Sequence, residues 1–586
     1  MSDGCAIEAA LGQSERAVQQ RSALRTLVVR YWGEAIIVAL ALLVWVPRLS
    51  GPIDLRWDGG VYYLLGTSLA QGHGYRIPSE PGSPEALQYP PLLPAVVALH
   101  QRALGTTNVD TVAPWLRKSY AMVFLIYAVA VLALARRYLA PGFAVTATAL
   151  CLLQVETLFL SDLLFAELPF ALVSVLLVLV AANEHSPLRG WLREIASFLL
   201  AAAGFLLRTA GLALLAAWVL EAVVRRRWRL AVVRGALALL PIIAWQTYVA
   251  SVRASDEYAH PAYEYQRASY QYYNVSYADN VRLLDPFRPE LGRMGLTTFA
   301  ARLATNLPSL LESLGESIST VEKDWRRLLN KIQRHLVGRY VMPSATARLT
   351  VFGLSALVIG GFILLLKRRE WLMLFIAVGS VGLVWATPWP AQYTRYLMPL
   401  APFMAICFVL TISTINTAWR NRESGRPGTL RRVVIIGILV FTFATELWSS
   451  QMLFRVRFRH EAVVLPTGEG SYRLFDHDGL WRDWEEAGAW IKAHAPPDAI
   501  VSTSAPHLFY LRTGLRAILP PMEAAPERAR QLLESVPVSY VIVDKLKFVD
   551  ISRRYADPAA KSDHDTWRVV QSVHGTKIYQ RGSAAQ

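Results

Sequence analysis

Long apolar stretches dominate this chain and limit what it can fold into. Its 586 residues are 54% hydrophobic and only 18% charged, a composition that does not suit a soluble protein. Most of the stretches approach the ~20 residues that a helix needs to cross a ~30 Å hydrocarbon core. They cover residues 34–50, 118–135, 142–160, 163–182, 195–224, 229–251, 347–366, 371–387, 395–414 and 432–452. The sequence therefore predicts an α-helical polytopic membrane protein.

The stretch 195–224 decides the number of crossings. As one helix it would be ~45 Å long, and Arg208 near its middle would cost about 2.5 to 3.5 kcal/mol at the bilayer centre. A helical hairpin that carries Arg208 to the far surface avoids this cost. It also places the basic clusters between the stretches on one side. We therefore predict about eleven crossings, with a single kinked helix around a buried, paired Arg208 as the alternative.

The basic clusters also orient the chain, because Lys and Arg collect on the cytoplasmic side of membrane proteins. They predict a cytoplasmic N-terminal segment at 1–33, which is retained because it lacks a signal cleavage site. The membrane domain then covers 34–455 and has two outer loops, 51–117 and 252–346. The net charge of +16 arises largely from these clusters, so it does not indicate nucleic-acid binding.

The composition changes near residue 460 to that of a soluble domain. Short β-type runs and two stretches with helical spacing predict a small α/β domain at 460–586, outside the cytoplasm. The predicted strands are 500–504, 508–513, 540–544, 567–573 and 576–580, and the predicted helices are 481–494 and 527–535. Of the three cysteines, two lie inside apolar runs and one near the N-terminus, so we expect no disulfide framework.

Carboxylates at the ends of apolar stretches are the first candidate functional residues. Asp58 follows the first stretch, and Asp162 and Glu167 lie at the mouth of a later one. With alternating crossings, all three share the outer face of the membrane. Ionisable side chains near hydrocarbon are costly, and several of one sign favour metal binding or acid and base chemistry. For Asp58 the alternative is an N-cap of a helix over 62–70.

The outer loops contain aromatic residues that are also candidates. Tyr62 follows Asp58, and the run Gln88-Tyr89-Pro90-Pro91-Leu92 predicts a helix over 92–104, because prolines fit a first helical turn. The second loop is rich in tyrosine between 258 and 277 and contains His260, whose imidazole could complete a metal site. These tyrosines would stack on a sugar or acceptor chain, or form an aromatic belt at the membrane interface.

At these residues the chain resembles the GT-C superfamily of membrane glycosyltransferases, in the branch of protein O-mannosyltransferases and lipid A aminoarabinose transferases. Asp58, within Trp57-Asp58-Gly59-Gly60, stands where that family has a catalytic base or metal-site acid. The run that begins at Gln88 resembles its acidic-Lys-Pro-Pro-Leu element, with Gln in place of Glu. Asp162 and Glu167 both resemble its second acidic position, and either one could match.

Two arginines extend this resemblance. Arg208, within Leu207-Arg208-Thr209-Ala210-Gly211-Leu212, resembles the family's Arg at the outer end of a short helix pair. Arg395 and Tyr396 begin a run that resembles its Arg-Tyr-Leu-x-Pro element at the outer start of a late span. Guanidinium groups bind phosphate through paired donors. The alternative for Arg395 is a side chain that reaches from a span end to the interface.

The resemblance implies a GT-C-like enzyme of the bacterial inner (plasma) membrane that moves a sugar from a polyprenyl-phosphate donor to a protein, lipid or glycan acceptor. The reaction would invert the anomeric carbon. A divalent cation, Mg, Mn or Zn, is a possible cofactor. The implied roles are catalysis by Asp58, Asp162 and Glu167, phosphate binding by Arg395, Tyr396 and Arg208, substrate binding by Gln88, Tyr89 and Tyr62, and metal binding by Asp162, Glu167 and His260.

Two other functions fit parts of the sequence. A lipid-linked glycan ligase or polymerase would use similar donors, but it should depend on Arg and His in its large outer loop more than on a carboxylate after the first span. A secondary transporter would share the apolar stretches, but it should show paired internal repeats and broken helices at mid-membrane. Neither feature is clear in this sequence.

Overall fold

The computed structural model describes residues 31–181, 190–337, 344–422, 428–459, 462–464, 471–547 and 550–582. The predicted cytoplasmic segment lies almost entirely outside the described residues. Helices make up the first part of the chain. They are α1 (Tyr31–Arg48), α2 (Asp58–Ala70), α3 (Leu92–Leu104), α4 (Val109–Tyr138), α5 (Pro141–Leu153), α6 (Val155–Ser161), α7 (Glu167–Ala181), α8 (Gly190–Leu207), α9 (Leu212–Val224), α10 (Trp228–Arg253), α11 (Asp256–Ala259), α12 (Tyr277–Val281), α13 (Leu296–Glu316), α14 (Glu322–Val337), α15 (Ser344–Lys367), α16 (Trp371–Trp385), α17 (Tyr393–Leu397), α18 (Ala401–Arg422) and α19 (Thr429–Arg459).

The long apolar helices make this a membrane protein. Within the described ranges, 7 helices are long and apolar enough to cross a membrane, or 8 if α5 and α6, which meet at a 56° bend, form one span. The other predicted crossings correspond to α7, α9 and α16, which are shorter apolar helices. Helices of 13 to 15 residues are only about 20 to 23 Å long. The structure confirms a polytopic helical membrane architecture, while the number eleven stays a prediction.

The stretch 195–224 folds as a helical hairpin with Arg208 at its turn. Helix α8 ends immediately before Arg208, and α9 begins four residues after it. The Leu214 side chain lies against Gly204, although ten residues of one continuous helix would separate the two by ~15 Å. The hairpin prediction is therefore confirmed, and the single kinked helix is wrong.

Arg234, near the start of α10, ties the two open ends of this hairpin together. Its guanidinium lies 2.8 Å from a Glu194 carboxylate oxygen on α8 and 2.7 Å from a Glu221 oxygen on α9. The Arg234 side chain is only 4% exposed, so water screens its attraction to the two carboxylates only weakly. The ion pairs fix the hairpin at the end opposite Arg208.

Gly211 makes the tight turn of the hairpin possible. A Cβ at this position would overlap the backbone of Gly204 and Phe205 on α8. We expect Gly211→Ala to lower the free energy of unfolding by at least about 1 to 3 kcal/mol. The overlapping atoms belong to the backbone, which cannot move aside as easily as a flexible side chain. The thermal unfolding midpoint of the protein in detergent measures this effect.

Gly235→Ala is the matched control for this substitution. Gly235 lies on α10, and no described atom is within 4 Å of where its Cβ would be. Because alanine favours a helix interior over glycine by about 1 kcal/mol, this variant should be as stable as the original protein or more so. Equal unfolding midpoints for the two variants would contradict the packing described for the turn.

A short backbone bridge joins the two segments that lead to the candidate carboxylates. The Asp54 amide donates to the Asp162 carbonyl oxygen at 3.1 Å, and the Asp54 carbonyl accepts from the Leu164 amide at 2.9 Å. Helix α2 begins shortly afterwards at Asp58, and α7 begins at Glu167. Backbone hydrogen bonds therefore hold the starts of α2 and α7 next to each other.

The C-terminal part forms a five-stranded sheet with the strand order β4-β3-β5-β7-β6. Strand β3 is parallel to β4 and β5, whereas β7 is antiparallel to β5 and β6. The elements are β1 (Val463–Val464), β2 (Ser471–Tyr472), α20 (Gly479–His494), β3 (Ile500–Ser502), α21 (Pro506–Thr513), β4 (Arg516–Ile518), α22 (Pro526–Glu534), β5 (Val538–Val543), α23 (Asp557–Lys561), β6 (Trp567–Val573) and β7 (Thr576–Arg581). The predicted α/β character is confirmed.

One predicted strand, 508–513, is wrong, because these residues form helix α21. Pro506 occupies the first turn of this helix, and Gly514 ends it in a left-handed conformation with a φ of +81°. A short apolar run without clear periodicity fits a strand and a buried helix equally well. The flanking Pro and Gly were the signals that favoured a helix.

The sheet domain packs on the loops around α2. The Arg56 guanidinium donates to the Asp476 carbonyl oxygen at 2.9 Å. The Ser79 hydroxyl lies 2.8 Å from Nδ1 of His507, and its carbonyl accepts from the Ala517 amide at 2.9 Å. Burial lowers the pKa of His507 to about 3, so its ring is neutral at physiological pH. These contacts fix the loop before α2 at Arg56 and the loop after it at Ser79 from the side of the sheet domain.

Candidate active site

Asp58 begins α2 at a point of backbone strain. Trp57, the residue before it, has a φ of +54°, which side chains larger than Gly rarely adopt and which is common at functional sites. Gly59 follows and lies against the Asp54 carbonyl oxygen and Leu164, so the first turn of α2 sits directly on the backbone bridge. This arrangement directs the Asp58 carboxylate toward α7 and α17.

Asp58 belongs to a chain of four alternating charges. Its Oδ2 lies 2.5 Å from Nη2 of Arg395, and Nε of Arg395 lies 2.9 Å from Oε1 of Glu167. The same Glu167 oxygen lies 2.5 Å from Nη1 of Arg208. The network thus joins the start of α2, the start of α7, the hairpin turn and α17, which are up to 337 residues apart in sequence.

The four side chains differ in their access to solvent. Asp58, Arg395 and Arg208 are 22%, 21% and 20% exposed, whereas Glu167 is 2% exposed. Glu167 therefore lies behind the other three groups and holds both guanidiniums in place. Asp58 and the two arginines are the groups that a bound molecule can reach.

Tyr89 binds the other oxygen of Asp58. Its hydroxyl donates to Oδ1 at 3.1 Å, and its ring packs edge-on against Tyr62 at 5.1 Å and lies 6.4 Å from the Tyr273 ring. Burial, and then the negative charge of Asp58, raises the pKa of Tyr89 well above its ordinary value, so its hydroxyl stays protonated. Because Asp58 bonds to Tyr89 and Arg395, the helix-capping interpretation of its side chain is wrong.

A cavity of about 490 Å³ opens in front of this network. Such a volume accommodates a drug-sized ligand. Its polar lining residues include Asp58, Tyr62, Gln88, Tyr89, Arg208, Arg395 and Tyr396. Its apolar lining residues include Phe170, Leu207, Leu212, Leu383, Val384 and Leu400, from α7 to α9, α16 and the segment before α18. The cavity lining therefore combines charged side chains with an extensive apolar surface.

Asp162 does not join this cavity. Its carboxylate is 1% exposed and is surrounded by Arg48, Arg117 and Arg457, whose nearest nitrogens lie 3.7, 3.3 and 3.0 Å from it. The catalytic and metal-binding roles predicted for Asp162 therefore lack the required access, because three buried guanidiniums enclose its carboxylate. Of the two residues that matched the second acidic position, Glu167 is the one the structure brings to Asp58.

The predicted metal ligands do not come together. His260 is 77% exposed and pairs with Asp256 at 2.9 Å, whereas Asp162 and Glu167 belong to separate ion-pair networks. Within the described ranges, no group of three or more His, Cys, Asp or Glu side chains could hold a metal ion. Asp58 at the cavity and Glu167 behind it are both bound by arginine. The residues present therefore do not fit a protein-held divalent cation.

The cavity also contains residues that the sequence did not single out. Arg302 on α13 lines it and donates to the carbonyl oxygens of Leu283 and Leu284 at 2.8 and 3.1 Å. Trp389 lines it as well, with its ring 6.3 Å from that of Tyr396. Arg302 lies in the amphipathic helix α13, where a basic residue has no distinctive sequence signal.

The chain is similar to known proteins in its fold, although not in its sequence. No family model and no curated protein matches the chain. Over 95% of its length, the chain aligns with 75% of the archaeal oligosaccharyltransferase AglB from Archaeoglobus fulgidus, in complex with an inhibitory peptide and a dolichol-phosphate (14% identity, TM-score 0.54). Over 94%, it aligns with 99% of ArnT from Cupriavidus metallidurans bound to undecaprenyl phosphate (13% identity, TM-score 0.50). The chain shares the fold of these two structures.

This likeness in fold agrees with the resemblance predicted from the sequence. A third similar structure, AglB in complex with Zn and sulfate, matches 93% of the chain and 72% of its own length, at 13% identity and a TM-score of 0.51. At these identities the likeness concerns the fold. In this chain the fold places the first loop, the hairpin turn and α17 around one cavity, with the start of α7 behind them, and the residues there carry the functional argument.

Proposed function

We propose that the chain is an integral membrane glycosyltransferase that moves a sugar from a polyprenyl-phosphate donor to an acceptor hydroxyl. The observation that carries this proposal is the convergence of Asp58, Arg208 and Arg395 on one cavity with an extensive apolar surface. A polyprenyl-phosphate sugar has parts that match this lining: an apolar isoprenoid chain, an anionic phosphate and a polar sugar. Dolichol-phosphate and undecaprenyl phosphate are bound in the similar AglB and ArnT structures, which supports this donor class.

In the proposed reaction Asp58 is the general base. The acceptor oxygen attacks the anomeric carbon and gives its proton to Asp58, while the bond from that carbon to the phosphate oxygen breaks and its electrons pass to the phosphate. Tyr89 orients the carboxylate through its hydroxyl. One attack of this kind inverts the anomeric carbon, whereas retention would need a second, nucleophilic carboxylate. Glu167 is unsuited to that role because both arginines bind it and it is 2% exposed.

Arg395 and Arg208 bind the phosphate in this proposal. Both guanidiniums face the cavity beside Asp58, and negative charge on the leaving phosphate grows as the sugar bond breaks. Fixed cations at that place stabilise the transition state more than the ground state. Tyr62, Gln88 and Tyr396 line the same cavity and supply further contacts to donor or acceptor. No step passes through a divalent cation.

The proposed setting is the inner (plasma) membrane of a bacterium. The cytoplasmic N-terminal segment then places the cavity and the C-terminal α/β domain on the outer side. The acceptor is a hydroxyl on a protein, a lipid or an envelope glycan. The contacts of the sheet domain with the loop before α2 put it within reach of an acceptor that enters this cavity.

Arg395→Gln should reduce kcat/KM for the donor by about 10²- to 10³-fold, because glutamine supplies no charge to the leaving phosphate. The measurement is consumption of an extracted polyprenyl-phosphate sugar by purified protein in lipid nanodiscs, followed by mass spectrometry. Arg102→Gln is the control, since Arg102 is exposed on α3 and binds only backbone oxygens of Leu69 and Ala70. A donor kcat/KM no lower for Arg395→Gln than for Arg102→Gln would count against a phosphate role for Arg395.

A further inference from the structure

Both oxygens of Asp58 are already engaged in the structure. Oδ1 accepts from the Tyr89 hydroxyl at 3.1 Å, and Oδ2 lies 2.5 Å from Nη2 of Arg395. A general base needs a free oxygen within hydrogen-bond reach of the acceptor proton. In this arrangement the guanidinium of Arg395 competes with the acceptor proton for Oδ2 of Asp58.

Arg395 is held at a second point, by Glu167. Its Nε lies 2.9 Å from Oε1 of Glu167, which also binds Arg208. The guanidinium can thus change its partner at Nη2 while Nε stays in place. Glu167 is 2% exposed, whereas Arg395 and Asp58 are 21% and 22% exposed to the cavity side. A phosphate that enters the cavity can reach the Arg395–Asp58 contact and not the Arg395–Glu167 contact.

We propose that the phosphate of the donor displaces Asp58 from Arg395, so that the base becomes free only after the donor has bound. Glu167 is the positioning residue that keeps Arg395 anchored during this exchange. The inference rests on the proposed function. The two carboxylates then have different roles: Asp58 is released from Arg395 when the donor phosphate binds, and Glu167 continues to hold both arginines. The donor must therefore bind before the acceptor is activated.

The charge count supports the exchange. Two carboxylates and two guanidiniums cancel, and a donor phosphodiester adds one negative charge. During transfer the proton from the acceptor neutralises Asp58 while the leaving phosphate gains one negative charge, so the total charge of the site does not change. Arg395 keeps Glu167 throughout and exchanges Asp58 for the phosphate, while the released Asp58 keeps the hydrogen bond from Tyr89 and has one oxygen for the acceptor proton.

Binding of undecaprenyl phosphate to the purified protein tests this proposal without an acceptor. Native mass spectrometry of the protein in lipid nanodiscs gives the dissociation constant. Because Asp58 and the phosphate compete for Arg395, Asp58→Asn should bind the lipid about five- to tenfold more tightly than the original protein. Glu167→Gln removes one negative charge from the same network, but it should bind no more tightly, since it releases the anchor of Arg395.

A double-mutant cycle separates competition from simple charge repulsion. In an Arg395→Gln background, Asp58→Asn should leave the affinity unchanged. The exchange is overturned if Asp58→Asn tightens binding equally in both backgrounds, or if a folded Glu167→Gln variant tightens it as much as Asp58→Asn does. The cycle decides the question even if Glu167→Gln fails to fold. If the original protein binds undecaprenyl phosphate no better than phosphatidylglycerol, the proposed function itself fails.

Discussion

Asp58→Asn should reduce the rate of sugar transfer by about 10²- to 10⁴-fold, the range expected when a general base is removed. Asparagine has the shape of aspartate and can still accept a hydrogen bond from Tyr89, but it cannot take the proton of the acceptor hydroxyl. The loss should appear mainly in kcat, because the arginines that hold the phosphate remain. The measurement is transfer of labelled sugar from the polyprenyl-phosphate donor by purified protein.

Asp110→Asn is the matched control. Asp110 lies in the first turn of α4, in the same outer loop, and it does not line the cavity. This variant should transfer sugar at the original rate. If Asp58→Asn kept more than about a tenth of the original kcat while its fold was intact, the general-base role of Asp58 would be wrong.

Asp162→Asn should have the largest effect on stability, a loss of about 3 to 5 kcal/mol in the free energy of unfolding. The Asp162 carboxylate is the charge that offsets the buried guanidiniums of Arg48, Arg117 and Arg457, which are at most 2% exposed. Asparagine would leave three buried positive charges facing one another. The unfolding transition of the protein in detergent, followed with a thermal or chemical denaturant, measures the loss.

A second substitution separates the charge effect from a packing effect. Asp162→Asn combined with Arg457→Met removes one of the unpaired cations and restores the original excess of positive charge. The double variant should be more stable than Asp162→Asn alone, because neighbouring charged sites are strongly non-additive. A double variant whose losses simply add would contradict the view that Asp162 acts through charge.

The membrane architecture and the hairpin at Arg208 could be predicted because each depends on a large local cost. Apolar stretches long enough to span a bilayer are unfavourable in water. A charge at the bilayer centre is also costly, so the chain turns to bring that charge to the surface. The cost does not determine whether short helices such as α7 and α16 cross fully. Their tilt and depth depend on packing against neighbouring helices, which the sequence does not display.

The candidate site could be predicted only as a set of residues on one face. Asp58 and Arg395 are 337 residues apart, and no local signal states that they form an ion pair. Asp162 and Glu167 lie five positions apart, and the sequence matched both equally well to the second acidic position of the family. Their ion-pair partners in the fold distinguish them. Asp162 is enclosed by arginines from α1, α4 and α19, whereas Glu167 pairs with Arg395 and Arg208.

The metal site predicted for His260 failed for a related reason. His260 is distant in sequence from Asp162 and Glu167, so the three residues form a metal site only if the fold brings them together. His260 instead lies exposed beside Asp256. The support from the sheet domain was also invisible in the sequence. His507 had no partner there, yet it lies 2.8 Å from Ser79, in the loop that follows α2.

The lipids of cells that carry Asp58→Asn test the central claim most directly, namely that a sugar leaves its polyprenyl phosphate in this cavity. If it does, the sugar-linked carrier should accumulate in these cells and return to its original level when the unaltered chain is expressed. Mass spectrometry of the extracted lipids measures both. A carrier profile that does not differ between cells with the variant and cells with the unaltered chain would contradict the account.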